Sequence, residues 1–465
     1  LINILTVEQI IQSENEFILK NPDKDIMSYA AEKLSKKLYL LSKNKKTLFI
    51  CGPGKNGLDG KKVYEIFRKK KLNVDIVKVD NEKSLNFLTH NIDLFKNKLN
   101  ENDIIIDSLF GIGLNRNLNY KFIRIFKLIN SSKKKIISID LPSGIQADTG
   151  VVKGKAIVSN ITLAMGFYKP CHFLYPGKKY CGELDLIKLG LKPNEKRKPR
   201  IMLLSKKIIK KKIPYFGMNV HKHQKGHVLI FSGEMLGAAR LVALSARKIG
   251  AGLSTINIDK NLYNFYPNVE PGTILNFDES INYSNYSCVV IGPGLGKKYK
   301  KKKLLKNINN NLPLVIDADG LSMFEKKKDI LFKSLKNRKN SILTPHHGEF
   351  KRLFNFSSNN KILNTIEASK LTSSVVVHKG NDTVVATANS DVWICNNARN
   401  SLATAGTGDI LTGMISGLLA QKSNLVEATL IGVWIHAMLS HNKQSVIAED
   451  FLEDIVRTKQ SLNNN

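Results

Sequence analysis

The 465 residues include 72 Lys+Arg against 39 Asp+Glu, a formal net charge of +33, with 42% hydrophobic and 24% charged residues. That length accommodates two or three domains, and the composition excludes a wholly disordered or fibrous chain. No apolar run reaches the roughly 18 residues that a membrane-spanning helix needs, so no membrane association is expected.

Thr6 and Gln9 form a capping box ahead of an N-terminal helix. Ala30, Leu34, Leu38 and Leu41 recur at helical spacing. Thr47 to Cys51 reads as a strand that enters Gly52-Pro53-Gly54-Lys55-Asn56-Gly57-Leu58-Asp59-Gly60. A helix through Val63, Ile66 and Phe67 and a strand through Val74, Ile76 and Val77 complete a βαβ unit. Ile104-Ile105-Ile106 and Ile136-Ile137-Ser138-Ile139 are continuous apolar runs of the kind buried in parallel sheets. The charged, proline-containing run Lys192-Pro193-Asn194-Glu195-Lys196-Arg197-Lys198-Pro199-Arg200 sets a boundary, giving a first domain over 1–198, a linker over 199–214 and a second domain over 215–465. The alternation then restarts with a strand at Val228 to Phe231 and a helix at Gly237 to Ile249. Further strands are expected at Val289 to Ile291, Leu314 to Ile316, Ile342-Leu343 and Val375 to Val377, with a hairpin turning at Asn389-Ser390-Asp391.

The five cysteines, Cys51, Cys171, Cys181, Cys288 and Cys395, are scattered, odd in number and free of metal-ligand spacing. They read as buried apolar groups in a reducing, cytoplasmic setting. The opening Leu1-Ile2-Asn3-Ile4-Leu5 has no basic segment ahead of an apolar core, so no signal peptide is expected. The lysine runs, such as Lys69-Lys70-Lys71 and Lys300-Lys301-Lys302-Lys303, are distributed along the chain. They read as compositional bias or solvated faces, and no nucleic-acid module accompanies them, so no specific nucleic-acid partner is expected.

Chemistry is expected where strands end. In the first half these ends are Gly54-Lys55-Asn56-Gly57-Leu58-Asp59-Gly60, Asp107-Ser108-Leu109-Phe110-Gly111-Ile112-Gly113-Leu114 and Asp140-Leu141-Pro142-Ser143-Gly144. The first is not a Walker A loop, because Gly-Lys-Ser/Thr is absent at the right spacing. Each segment alone could be an ordinary turn. In this order, with Asp148-Thr149-Gly150 and Cys181-Gly182, they resemble the NAD(P)HX epimerase domain over roughly residues 5–195. That family interconverts the R and S epimers of hydrated NAD(P)H. The resemblance implies a Rossmann-like three-layer α/β/α sandwich and a potassium ion held by Asn56, Asp107 and Ser143. It also implies substrate contacts from Lys55, Asn56, Gly57, Leu58 and Asp59, from Gly111, Ile112, Gly113, Leu114, Asn115, Arg116 and Asn117, and from Asp140, the candidate acid/base. The family loop usually reads Asn-Asn-Gly-Gly-Asp. Leu58 is therefore expected to be strained if position 58 takes a positive φ, and Lys55 is expected to bring a cation close to the potassium site.

In the second half, Ala403-Thr404-Ala405-Gly406-Thr407-Gly408-Asp409 runs into a helix at Ile410 to Leu419. Backbone N–H groups at such a terminus form an anion hole, and an aspartate directly after it can accept a substrate hydroxyl proton, which suits phosphoryl transfer. Its companions are Gly292-Pro293-Gly294-Leu295-Gly296, Asp317-Ala318-Asp319, Thr344-Pro345-His346-His347-Gly348-Glu349-Phe350 and Lys379-Gly380-Asn381-Asp382-Thr383. Together they resemble the ADP/ATP-dependent NAD(P)HX dehydratase, a ribokinase-like α/β/α family, over roughly 215–455. The resemblance implies that Asp409 is the catalytic base and contacts the hydrate, and that Ala238, Gly294 and His346 line the hydrate site. Lys379, Gly380, Asn381, Asp382, Thr383 and Gly408 would bind ADP or ATP with Mg2+, and Glu349 would orient magnesium-bound water. His347 stands where the family usually has Pro, and Arg399 and Ser401 where Gly and Pro are usual.

The expected protein is thus a two-domain α/β enzyme that epimerises NADHX and NADPHX and dehydrates the S form, working as a homo-oligomer on small molecules. The alternative is a ribokinase-like kinase of a vitamin or sugar hydroxyl with a regulatory first domain. Accumulation of a phosphorylated product without NADH would distinguish it.

Overall fold

The protein is described by a computed structural model that covers residues 2–194, 196–217, 219–263, 269–442, 444 and 446–463. The chain divides into two compact units, Ile2–Arg200 and Ile201–Asn465.

In the first unit, six parallel strands lie in the spatial order Val74–Lys78, Thr47–Cys51, Ile104–Ser108, Lys135–Ile139, Ile161–Met165 and Glu183–Ile187. Thr47–Cys51 and Ile104–Ser108 are buried along their whole length, which explains the apolar runs Leu48 to Cys51 and Ile104 to Ile106 within them. Alternate residues serve opposite faces. Phe49 and Cys51 join Leu34, Leu38, Val63 and Phe67 on one side. Leu48 and Ile50 join Phe95, Phe126 and Ile129 on the other. Two apolar layers on one sheet make the expected three-layer sandwich. The N-terminal helix Val7–Lys20 carries the Thr6/Gln9 capping box. The strand order reverses between Thr47–Cys51 and Ile104–Ser108, so a crevice opens at their carboxyl ends.

In the second unit the strands run Asp391–Cys395, Thr383–Ala386, Val375–His378, Ser341–Leu343, Leu314–Ile316, Cys288–Ile291, His227–Phe231, Leu253–Asn257 and Ile274–Asn276. The pairs from Val375–His378 onward are parallel, and the first three strands form an antiparallel meander closed by the expected hairpin. The order reverses between His227–Phe231 and Cys288–Ile291. Helices Leu236–Ile249, Thr407–Ala420 and Leu425–Leu439 supply most of one buried face. Gly413 explains how closely the first two pack, since a Cβ there would lie 1.9 Å from Ser245 Oγ and 2.4 Å from the Val242 carbonyl oxygen. That contact fixes the axis of the helix whose first turn bears Asp409.

The stretch expected as a linker, 199–214, is folded. Arg200–Leu203 is a strand beside Asp391–Cys395 and Lys206–Lys210 is a helix. Ile201, Leu204 and Ile209 are buried, and Leu204 N donates to the Ile394 carbonyl at 2.9 Å. The lysines between these apolar residues concealed their periodicity, and the strand's partner lies almost two hundred residues away. Glu195 of the charged run lies outside the described residues. Among those described, no helix is long and apolar enough to cross a membrane, and all five cysteines are buried and outside any disulfide.

Candidate functional site

Two sites form, one at each crevice. In the first unit the backbone after Thr47–Cys51 passes too close to its neighbours for a side chain at two glycines. A Cβ on Gly52 would lie 1.9 Å from the Leu109 carbonyl oxygen, and one on Gly57 at 1.9 Å from that of Gly52. Asn56 is thereby set against Phe110, whose carbonyl accepts from its Nδ2 at 3.0 Å, while its Oδ1 is buried without a partner. The fully buried Asp107 carboxylate accepts from Ser143 N (2.9 Å), Ser143 Oγ (2.6 Å), Ser138 Oγ (2.7 Å) and Leu109 N (3.3 Å). Burial raises its pKa against these hydrogen bonds. Ser143 Oγ accepts in turn from Phe110 N at 2.8 Å. Asn56 and Ser143 therefore meet at Phe110, Asp107 is tied to them through Ser143, and Asn56 Oδ1 is left without a donor. Among the described residues no group of three His, Cys, Asp or Glu could hold a metal, so any cation here relies on mixed oxygen ligands.

Asp140, at φ 69°, stands in the left-handed region at a strand end. Its Oδ1 accepts from Met165 N at 3.1 Å and from the ammonium of Lys169. Lys169 is 1% exposed and also donates to the Met165 carbonyl at 2.9 Å. His172 Nε2 donates to the Asp140 carbonyl at 2.9 Å, and its Nδ1 accepts from Lys169 N at 3.1 Å. Burial, aided by Lys169, pulls the His172 pKa down to about 4, so the ring is neutral. Lys169 and His172 escaped the sequence reading. Their signal was a lysine set among apolar residues just past the strand Ile161–Met165.

Asp59 faces Asp140 and Glu14, and burial chiefly raises its pKa to about 7. The Lys55 ammonium lies 3.7 Å from the Glu14 carboxylate, so its charge is directed to Glu14. Leu58 corrects the expectation of strain. The helix begins at Lys55, Leu58 N donates to the Gly54 carbonyl at 3.0 Å, and no positive φ occurs there. Leu58→Gly should therefore cost about 1 kcal/mol of stability through lost helix propensity without raising epimerisation. Thermal unfolding beside an epimerisation assay checks this, and faster epimerisation would refute it. In the following loop Gly111 lies against Asn56, Leu114 turns inward, Ile112 packs beside Leu141 and Ile145, and Gly113, Asn115, Arg116 and Asn117 are exposed.

In the second unit Gly406 takes φ 89° and the helix starts at Thr407. Asp409 occupies its first turn. Burial, then Asp317, raises its pKa to about 7, with Lys379 opposing. Asp317 accepts from Lys379 Nζ at 2.9 Å, Thr412 Oγ1 at 2.8 Å and Ala318 N at 2.9 Å. A Cβ on Gly408 would lie 3.4 Å from Lys379 Nζ. Lys379, Gly408 and Asp409 are thus neighbours, and Asp317, quoted above without a role, is the group that ties them. Gly294 and Ala238 also meet, since a Cβ on Gly294 would lie 3.1 Å from that of Ala238.

His346 caps the helix His347–Phe354, its Nδ1 accepting from Gly348 N at 3.0 Å, while Glu349 Oε2 accepts from His346 N at 2.8 Å. The His346 side chain remains 55% exposed. Burial and Asp317 raise the pKa of Glu349. His347 stacks on His378, which stacks on Phe350 with 4.0 Å between ring centroids. The turn from Gly380 to Thr383 closes on itself through Thr383 Oγ1, which donates to the Gly380 carbonyl at 2.8 Å. Asp382 is buried and its carboxylate accepts from Lys361 Nζ at 2.6 Å, whereas Gly380 and Asn381 are exposed. The Asp382 side chain therefore anchors the turn.

Residues 227–460 match a family described as NAD(P)H-hydrate dehydratase, and residues 23–171 match one described as YjeF-related protein N-terminus. A bifunctional NAD(P)H-hydrate repair enzyme of Coxiella burnetii is 34% identical, covering 72% of this chain and 70% of the relative. One from Synechocystis is 28% identical over 96% of this chain and 92% of the relative. Among solved structures, a hypothetical protein of Streptococcus mutans shares the fold, with a TM-score of 0.50 and 24% identity over 57% of this chain and all of that one. These matches cover both halves, and the chain belongs to the bifunctional NAD(P)H-hydrate repair enzymes.

Proposed function

We propose that residues 1–198 epimerise R- and S-NAD(P)HX at the Asp140–Lys169 pair and that the second unit phosphorylates and dehydrates the S epimer with ADP or ATP. Asp409 carries the second half. It is a carboxylate poised to ionise near neutrality, one residue beyond the anion hole and beside Lys379. Asp409 takes the proton of the hydrate hydroxyl as its oxygen attacks the terminal phosphorus, and the nucleotide departs one phosphate shorter. Gly408 N–H and Lys379 stabilise the charge that develops on the transferred group. The C–O bond then breaks with its electron pair leaving on phosphate, and loss of a proton from the adjacent ring carbon restores NAD(P)H. Phosphate can leave where hydroxide cannot.

Asp317, Asp319 and Glu349 all raise the Asp409 pKa, with Lys379 the opposing cation. This surplus of negative charge suits a nucleotide-bound Mg2+, whose water shell Asp317 and Glu349 would hold and which supplies charge neutralisation at the phosphates. In the first unit the unpartnered Asn56 Oδ1 suits K+, held with Asp107 and Ser143, which supplies a fixed positive charge for a diphosphate-bearing substrate. In the second unit Ala238, Gly294 and His346 would line the hydrate, and the 379–383 turn would meet the nucleotide. Five buried thiols support a cytoplasmic setting.

Incubating mixed R/S NADHX with Mg2+ and ATP or ADP, and following the reduced-ring absorbance, tests this reading. Complete conversion is expected. A plateau at the S fraction would remove the epimerase, and a stable phosphorylated product without NADH would favour the kinase alternative. Dehydratase kcat should rise with pH through about 7, because Asp409 must be ionised to accept the proton. A profile flat between pH 6 and 8, a window spanning that value, would exclude it as the base.

A further inference from the structure

The chain that leads into the anion hole, residues 396–406, has little regular structure of its own. It and Thr407, which follows it, are nevertheless held by hydrogen bonds from the carboxyl end of a single helix, Leu425–Leu439, and the two residues that follow. His441 Nε2 hydrogen-bonds the Asn397 carbonyl at 2.8 Å. Ser440 Oγ accepts from Arg399 N at 2.9 Å, and the Ser440 carbonyl accepts from Ser401 Oγ at 2.9 Å. His436 Nε2 hydrogen-bonds the Thr407 carbonyl at 2.9 Å. A carbonyl cannot donate, so Nε2 carries the hydrogen in this last bond. Burial, with Lys379 nearby, pulls the His436 pKa down to about 4 and keeps the ring neutral.

The consequence for the site follows from peptide geometry. The C=O of Thr407 and the N–H of Gly408 belong to one planar trans unit and point in opposite directions. A donor fixed on the Thr407 oxygen therefore aims the Gly408 N–H toward the helix terminus, where a phosphate oxygen would sit. From the other side, the Thr407 hydroxyl reaches the Leu402 and Thr404 carbonyls at 2.9 and 3.1 Å. Gly406 between them is hemmed in, since a Cβ there would lie 2.7 Å from Leu241 Cδ1 and 2.9 Å from Ala448 Cβ. Arg399 and Ser401 are both bonded to Ser440, which ties the approach loop to the end of the helix.

We infer that the carboxyl end of this helix is a bracket that preorganises the phosphate-binding turn, with His436 a positioning residue for phosphoryl transfer and Ser440 its counterpart for the approach loop. The inference rests on the nucleotide-dependent reading of the second unit. It assigns the residues that hold that site in shape, none of which touches substrate.

The test uses the full-length protein and compares His436→Gln with His436→Asn. A glutamine amide nitrogen reaches the place of Nε2, whereas that of asparagine reaches only the place of Nδ1. With Asn, kcat should fall and the Kd for ADP and ATP, measured by calorimetry, should rise, each by about 10- to 100-fold, as when an outer hydrogen bond that orients a direct ligand is removed. With Gln both should stay within about threefold of the parent, the span of a retained hydrogen bond. The KM for NADHX and the epimerase rate of the same preparation should be unchanged in both variants. Ser440→Ala should raise the nucleotide Kd in the same direction. Equal nucleotide affinity and kcat in Asn and Gln variants, whether both intact or both lost, would overturn the positioning role. Absence of nucleotide binding by the parent would overturn the functional reading itself.

Discussion

Asp409→Asn should lower the rate of NADH recovery from S-NADHX by about 10²- to 10⁴-fold, the range set by removal of a general base, while ATP still binds. Asn keeps the shape of the side chain and its place in the first helical turn, and Gly408 and Lys379, the groups proposed to meet the phosphates, are untouched. Only the capacity to take a proton is lost, so the deficit belongs in kcat, and the pH limb near 7 should vanish with it. The stability effect has a defined sign. The folded-state pKa is raised above its value in the unfolded chain, so the folded protein holds a proton that the unfolded chain has released between about pH 4 and 7, and stability declines as pH rises through that window. Removing the titrating group should leave the melting temperature at pH 8 equal to or above that of the parent. Full activity in this variant, followed by reduced-ring absorbance, would take Asp409 out of the mechanism.

Asp140→Asn should stop epimerisation and also weaken the first unit. Lys169 is 1% exposed and its carboxylate partner is Asp140. Neutralising that partner leaves a buried ammonium uncompensated, a change that costs about 3–5 kcal/mol in comparable cases. The signature in the mixed-hydrate assay is a plateau at the S fraction, because the second unit is unaltered. Loss of fold and loss of chemistry are separated by the double variant Asp140→Asn/Lys169→Met. It removes both charges, so it should regain most of the stability and none of the epimerase activity. Recovery of epimerisation in the double variant would show that the pair is structural.

Much of this architecture was legible along the chain because its signals are local. Buried parallel strands read as unbroken apolar runs, Thr6 and Gln9 specify a helix start within one turn, and glycines mark where the backbone must pass close to another segment. The same locality explains the errors. The strand Arg200–Leu203 and the helix Lys206–Lys210 were hidden among lysines, since a strand is confirmed only by its neighbour, Asp391–Cys395. Leu58 was read against a family pattern as a loop residue, whereas the helix had already begun at Lys55.

The site residues divide along the same line. Asp409, Gly408, Lys379, Asp140, Asn56, Asp107 and Ser143 were nominated because each sits at or just past a strand end or helix start, where short motifs persist. Lys169, His172, Glu14, Asp317, Lys361 and His436 are partners, and nothing in a partner's immediate sequence names the group it pairs with. Residue order and its resemblance to known families were enough to give the class of each half and to nominate the groups proposed to react. Which carboxylate is ion-paired, which is left to titrate near neutrality, and which helix end holds the phosphate turn in place were decided by folding. These properties arise from desolvation and from distances of about 3 Å between residues far apart in the chain, the range over which hydrogen bonds form.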